Sequence, residues 1–391
     1  MKVAPKYAPY PQAQPPNYKQ WLVSGAALLS LVFGGAVLED TYDLGRGDSV
    51  NIFRALLYIF TVWGVMIGVA VLWLLSLMLR VLYYRFNWHV ARYHANAATR
   101  VQHSWWTYHR QKVGLIESVL LGAACSSPEH RQSLFSPEHQ PPVPETTPEG
   151  PAIRLLQVLG RDVTERERQL AALLALQWVE QRTEPEVVQP VCCYWQGSLD
   201  AWQAFVEQMK QCCPQMQLPE QPEPWQGMQS LDSIIDRLHG AAWDIRILCA
   251  GCHSSPPEAQ SHMPAGEAAV LWLLGPRGRV RLSRGEWFAA DAESLASVAE
   301  RASQQSELKS SAPVCVSFSQ PDMPPLSVMD WNTRQHLQDA NFGALQNLEA
   351  MVVQTLAAWY AEQHGVPCAW LANDPQHTLA LGIVESDHAD S

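Results

Sequence analysis

The chain has 391 residues, long enough for a membrane anchor plus one large domain or two small ones, and its 38 acidic and 27 basic side chains leave a net charge of −11. The charge is divided unevenly: residues 1–112 carry 11 Lys and Arg against four acids (+7), and the remainder carries 16 against 34 (−18). An acidic body lacks the basic footprint that nucleic-acid binding needs, which excludes that class of function.

Residues 1–18, MKVAPKYAPYPQAQPPNY, are proline-rich and read as a disordered tail. Residues 19–82 hold two uncharged runs, Trp21 to Leu38 and Ala55 to Leu79, of 18 and 25 residues. At 1.5 Å per residue the first just spans a bilayer and the second spans it comfortably. A signal peptide would need a small-residue cleavage site of the A-x-A type after the first run, and none follows, so the expectation is a transmembrane helical hairpin. Lys2, Lys6 and Lys19 precede the first run, and Arg80, Arg85, Arg92, Arg100, Arg110 and Lys112 follow the second, whereas the connecting loop is acidic. Basic residues stay on the cytoplasmic side, so both termini are expected in the cytoplasm of a multi-pass protein of the bacterial inner membrane.

Residues 83–125 are expected to be juxtamembrane helices, with GLIESVLLGAAC (Gly114 to Cys125) the last of them. Their basic and aromatic side chains, Arg85, Trp88, Arg92, Tyr93, Trp105 and Trp106, suit the lipid interface, with the bilayer as partner. His89, His94, His103 and His109 are not spaced to stack on one helical face as a metal pair would. Residues 126–151, rich in Pro, Ser and Glu, read as a linker.

From residue 152 to residue 391 the pattern alternates. DVTERERQLAALLALQWVEQR reads as a helix, VVQPVCCYW as a strand, SLDAWQAFVEQMKQCC as a helix capped by Ser198 or Asp200, and SLDSIIDRLHG as a helix ended by Gly240. WDIRILCAG, EAAVLWLLG and RVRLSRGEWF read as strands, with Gly275 to Arg279 as a hairpin turn. ADAESLASVAERASQQSE is a helix, APVCVSFSQ a strand, and FGALQNLEAMVVQTLAAWYAEQHG a long helix ended by Gly365. VPCAWLAND and HTLALGIVES close the chain as strands. This alternation predicts a layered α/β domain around a mixed sheet.

CAGCH, with Cys249, Cys252 and His253, has the spacing of a c-type haem attachment. Haem is attached outside the cytoplasm in most systems, and the expected topology puts this motif inside, although His262 and Met263 follow as conceivable axial ligands. Zinc would need two more ligands near the pair, and a thioredoxin-like motif should open a helix, whereas this one ends a strand. The reading is therefore small residues in a buried strand, with no metal and no cofactor expected. The nine cysteines all fall in the part assigned to the cytoplasm and read as free thiols. Glu267, which opens a buried strand, is either an acid or base or a carboxylate held by backbone amides to fix a turn; the second is expected. Asp330, Trp331 and Asn332 are either a helix cap or part of a recognition pocket.

Four stretches, WDIRILCAGCHS, MPAGEAAVLWLLGPRG, NFGALQNLEAMVVQTLAAW and VPCAWLANDPQHTLALGIV, together resemble the thiolase-like fold of β-ketoacyl synthases over roughly residues 187 to 386. The resemblance implies a nucleophilic cysteine at a strand-to-helix elbow upstream of the Gly-Glu pair, activated by the helix N-terminus, with histidines positioning the substrate carbonyl. GAACSSPEH around Cys125 is similar to the family's cysteine motif, but it lies about 140 residues before Gly266 and follows a predicted helix. VMDWNTRQH stands where a His-Gly-Thr motif is expected and offers Asp330, Asn332, Thr333 and then His336. No catalytic residue is therefore assigned, and Glu267, Asp330, Asn332 and His336 are kept as candidate binding residues.

The expected protein is a non-enzymatic adaptor or scaffold with a cytoplasmic thiolase-like domain that binds a protein partner. Its layout is similar to accessory proteins of bacterial type VI secretion systems. The alternative is a membrane-associated acyl-transfer or condensing enzyme of the β-ketoacyl synthase type.

Overall fold

In the computed structural model, which describes residues 4–44, 52–127, 129–182, 188–259, 261, 263–289, 292–319, 331–333, 335–374 and 378–387, the apolar N-terminal runs become α1 (Tyr18–Leu44) and α2 (Ile52–His109). Both are long and apolar enough to cross a membrane. Leu22, Leu31, Phe53, Phe60 and Leu72 each expose most of their surface, the state of a helix whose apolar side chains have no protein to cover them. The helices pair antiparallel: Trp21 meets Trp73, with ring centroids 6.2 Å apart, and the Tyr58 hydroxyl donates to the Ala36 carbonyl at 2.6 Å. Arg46 and Asp48 of the connecting loop lie outside the described residues.

The tail that composition marks as disordered runs extended beside α2 from residue 4 onward. Gln102 donates to the Pro5 carbonyl, the Ala13 amide donates to Asn87, Arg80 reaches the Gln14 carbonyl, and the rings of Tyr7 and Tyr10 lie against His94. A proline-rich strand has no internal hydrogen bonds, so its backbone is available to an adjacent helix.

Residues 4–105 form one compact unit and residues 106–391 a second. The second opens with the last turn of α2 and then β1 (Lys112–Gly122), where the sequence suggested a helix over Gly114 to Cys125. There follow a short helix α3 (His130–Ser133), the hairpin β2 (Glu145–Thr147) and β3 (Gly150–Ala152), α4 (Val163–Gln181), β4 (Cys192–Gln196), α5 (Leu199–Cys212), β5 (Glu223–Pro224), α6 (Met228–Leu238), β6 (Ile247–Ser254) and β7 (Glu267–Gly275). The stretch expected to be a linker thus carries α3 and most of the hairpin. Ser198 caps α5 by accepting from the Ala201 amide, and Asp162 caps α4. The chain continues through β8 (Val280–Ser283), β9 (Glu286–Phe288), α7 (Leu295–Gln305), β10 (Val314–Ser317), β11 (His336–Leu337), α8 (Asp339–Phe342), α9 (Glu349–His364), β12 (Cys368–Asn373) and β13 (Leu379–Ser386). RVRLSRGEWF is broken into β8 and β9 at Gly285, whose φ of 66° lies in the left-handed region. The long helix expected from Phe342 begins only at Glu349, because Gly343 turns the backbone to φ 66°.

The main sheet has the order β11-β10-β12-β13-β8-β1-β7-β6-β4-β5. It falls into two halves of equal design. Numbered along the chain, β1, β4, β5, β6 and β7 stand in the order 3-2-4-5-1, and so do β8, β10, β11, β12 and β13. In each half only the fifth strand runs opposite to the others, and the two first strands meet antiparallel at the centre. Residues 275–279, expected as a hairpin turn, instead carry the chain from one side of β1 to the other, since β7 and β8 both pair with β1 and not with each other. The crossing is tight: a Cβ on Gly114 would sit 2.2 Å from the backbone of residues 277 and 278.

Alternate side chains of β7 explain its unbroken hydrophobicity. Ala268, Val270, Trp272 and Leu274 join a central core with α6 and α9, whereas Ala269, Leu271 and Leu273 join a second core under α4 and α5. In the other half Cys368 and Trp370 of β12 face the central core, and Ala369 and Leu371 face a third core under α7. Helix α9 is buried nearly all round because both halves press on it.

Candidate functional site

The motif that opens the chemical question, CAGCH, lies within β6. A strand alternates its faces, so residues three apart point opposite ways. Cys249 accordingly packs into the central core and Cys252 into the core under α4 and α5, each almost fully buried. Two thiols on opposite faces of a sheet cannot hold one haem or one metal ion. Among the described residues no group of three or more His, Cys, Asp or Glu side chains could hold a metal. His262 lies outside the described residues.

Beside the end of β6 stands a buried charge cluster. Glu267, with no exposure, accepts from Arg166 Nε and Nη2 at 2.8 Å each, from Arg154 Nη1 at 3.2 Å, from the Ser254 hydroxyl at 3.2 Å and from the Leu155 amide at 2.5 Å. Two guanidinium groups and two further donors hold both carboxylate oxygens, so the carboxylate is a clamp between β7, α4 and the segment after β3, not a base awaiting a substrate. Burial lowers the pKa of Arg154, against the opposing pull of Glu267. Next to it, Glu167 accepts from Ser198 at 3.0 Å and lies 3.7 Å from His253 Nδ1. Burial raises the pKa of Glu167; burial and then the charge of Arg154 lower that of His253. His253 Nε2 shares a hydrogen bond with the Ser255 hydroxyl, which donates to the Ala344 carbonyl at 2.6 Å.

A strand-to-helix elbow upstream of the Gly-Glu pair does exist. It joins β5 to α6 at Gly227, whose φ of 58° and ψ of −128° are strained for any residue bearing a Cβ. The residue at the elbow has no side chain and hence no thiol. Before it, the buried Trp225 packs edge-on against Tyr194 and Trp272. Cys125, the sequence's nearest likeness to the family nucleophile, instead closes a turn after β1 through reciprocal backbone bonds with Gly122. Burial pushes its thiol pKa well up, likewise those of Cys249, Cys252, Cys315 and Cys368; Cys192 is pushed up to about 11 and Cys193 to about 12. A nucleophilic thiol needs the opposite shift.

The candidate binding residues do not converge with Glu267. Asn332 is exposed and donates to Gln335 at 2.7 Å; Asp330 lies outside the described residues. His336, on β11, packs between the rings of Phe135 and Tyr360, and its pKa is lowered by burial and by His364. On α2, Trp88 and Tyr93 are exposed and Arg92 stacks over Trp88 at 5.4 Å; Arg85 and Trp105 lie on the same helix, and Arg110 stacks over Trp106 at 5.0 Å. One group that sequence reasoning passed over is Glu349, in the first turn of α9. It is buried, accepts from Asn373 at 2.8 Å, and has its pKa raised to about 7, chiefly by burial. Nothing in the surrounding sequence marks it, because the burial comes from strands distant in the chain.

No known protein family matches the sequence, and no curated protein matches it. Among solved structures the chain is similar to the ishigamide ketosynthase/chain length factor (13% identity, covering 70% of this chain and 99% of that one, TM-score 0.47). It is also similar to the acyltransferase ChlB3 (12%, 70% and 98%, 0.45) and to a monomeric SCP2-thiolase like protein type 1 from Mycobacterium smegmatis (11%, 72% and 79%, 0.45). These likenesses concern the fold.

Proposed function

We propose that this chain is a membrane-anchored, non-catalytic protein whose thiolase-like α/β domain binds a protein partner on the cytoplasmic face of a bacterial inner membrane. The observation that carries the reading is Gly227. The strand-to-helix elbow that the sequence resemblance calls for is built, strained backbone included, and it holds a residue that cannot attack anything. The raised thiol pKa values away from the elbow and the saturated carboxylate of Glu267 support the same reading. The duplicated strand order supports the thiolase-like assignment, the two apolar helices support the anchor, and the basic residues flanking them support the orientation. An accessory role in a type VI secretion system is part of the proposal on layout alone.

Pull-down of the full chain from detergent-solubilised membranes tests the partner: a stoichiometric protein that survives a salt wash is expected, and recovery of none under mild conditions counts against the reading. Iodoacetamide labelling of the purified chain tests the chemistry. No cysteine should react selectively at neutral pH, and one fast-reacting thiol would restore the condensing-enzyme alternative.

A further inference from the structure

The second unit is acidic, yet five of its arginines, Arg131, Arg182, Arg246, Arg277 and Arg279, line one half-open cavity of about 700 Å³. The cavity lies far along α9 from Glu349, beside Ala358 and Glu362, and it takes in the end of α4 and the first half of β1. A bulge between Leu115 and Glu117 interrupts the pairing of β1 with β7 there, so Ile116 drops out of the ladder. The site is therefore separate from the elbow at Gly227 and from the Glu267 cluster.

Part of this positive charge is answered within the fold. Glu117 accepts from Arg182 at 3.3 Å and from the Trp178 indole at 2.6 Å; Glu362 pairs with Arg131 and lies 3.6 Å from Arg279; Asp387, a third acid of the lining, is paired at 2.9 Å with Arg281, which lies outside the cavity. The ends of α4 and α9 add the partial negative charge of helix C-termini. Arg246 and Arg277 have no carboxylate partner among the described residues. Arg246 donates through Nη1 to the carbonyls of Trp243 and Ile245, which orients its fork, and Arg277 stands exposed at the crossing between β7 and β8. A concave surface with surplus guanidinium groups focuses its field on anions, and the planar fork matches the oxygens of a phosphate.

We propose that this cavity binds a phosphorylated small molecule of nucleotide size, with Arg246 and Arg277 as its principal ligands and Arg182 and Arg279 at its flanks. The volume falls in the range of small-molecule sites, roughly 300–1,000 Å³. The same phosphate chemistry is offered by a soluble nucleotide and by an anionic lipid headgroup, so the test has two arms.

The full chain in non-ionic detergent is titrated calorimetrically at constant ionic strength with ADP and, separately, with monomeric short-chain phosphatidic acid. Saturable binding of either below about 1 mM is expected. The double variant Arg246→Gln/Arg277→Gln should weaken it by about tenfold or more, while Lys309→Gln, exposed between α7 and β10 and outside the cavity lining, leaves it unchanged. Binding of ADP alone assigns the soluble source, and binding of phosphatidic acid alone the headgroup. No saturable heat with either, or binding that the double variant leaves intact, overturns the proposal. Arg277→Gln alone, at an exposed position, gives the reading should the double variant lose its cooperative melting transition.

Discussion

Glu267 and Glu349 are both buried glutamates, and their surroundings send them to different ends. Glu267 meets two guanidinium groups, and replacing it leaves two buried cations facing each other. Glu267→Gln should cost about 3–5 kcal/mol, read as a lowered midpoint of thermal or denaturant unfolding; an unchanged midpoint would show that water reaches the cluster. Glu349 has an amide for a partner and, among the described residues, no cation, so burial wins and its pKa rises from the usual 4.5 to about 7. The folded state then holds the Glu349 proton more tightly than the unfolded chain does. The resulting stabilisation is fully present below pH 4.5 and is lost as the pH rises through 7, at most about 3 kcal/mol. Glu349→Gln, which keeps the bond to Asn373, should flatten the fall in stability between pH 5 and 8 and raise the unfolding midpoint at pH 8 relative to the parent chain. A variant whose midpoint tracks the parent at both pH values would show that the carboxyl is ionised throughout.

At the scale of elements, hydrophobic pattern and punctuation served well where an element has one solvent-facing side. SLDAWQAFVEQMKQCC became α5 with its Ser198 cap, and Gly365 ends α9 at φ 66° in the left-handed region. The pattern failed at β1. KVGLIESVLLG is buried on both faces for most of its length, so no period of two survives to distinguish a strand from a short buried helix, and the preceding α2 makes helix the natural extrapolation. The elbow at Gly227 was equally illegible, because β5 is two residues long and leaves no strand signature in the sequence. Its strain is nonetheless testable. Gly227→Ala forces a Cβ into a region that side chains avoid and should destabilise the fold by about 1–3 kcal/mol in denaturant titration. A neutral substitution would mean that the turn relaxes.

For the molecule as a whole, the charge division is the feature that sequence states most plainly. If the basic flanks of the two helices hold them as proposed, Asp43→Cys in the last turn of α1, next to the connecting loop, should be labelled by a membrane-impermeant maleimide added to intact spheroplasts, and the parent chain only after lysis. Labelling of the parent chain from outside would reverse the orientation. The twofold repeat of strand order 3-2-4-5-1 is a matter of which distant strands pair, and no local pattern states that.

Local properties were thus decided by the sequence itself: two runs long enough to cross a bilayer, an acidic body, and helices with their caps. Each depends on neighbours within a few residues, where composition and periodicity act directly. Only the tertiary structure decided the rest: that CAGCH splits its thiols between two cores, that Glu267 is a clamp and Glu349 a buried acid, that the elbow holds a glycine, and that five arginines from distant segments share one cavity. Those outcomes depend on burial and on which distant groups become neighbours, and that information appears only when the sheet closes around β1 and α9.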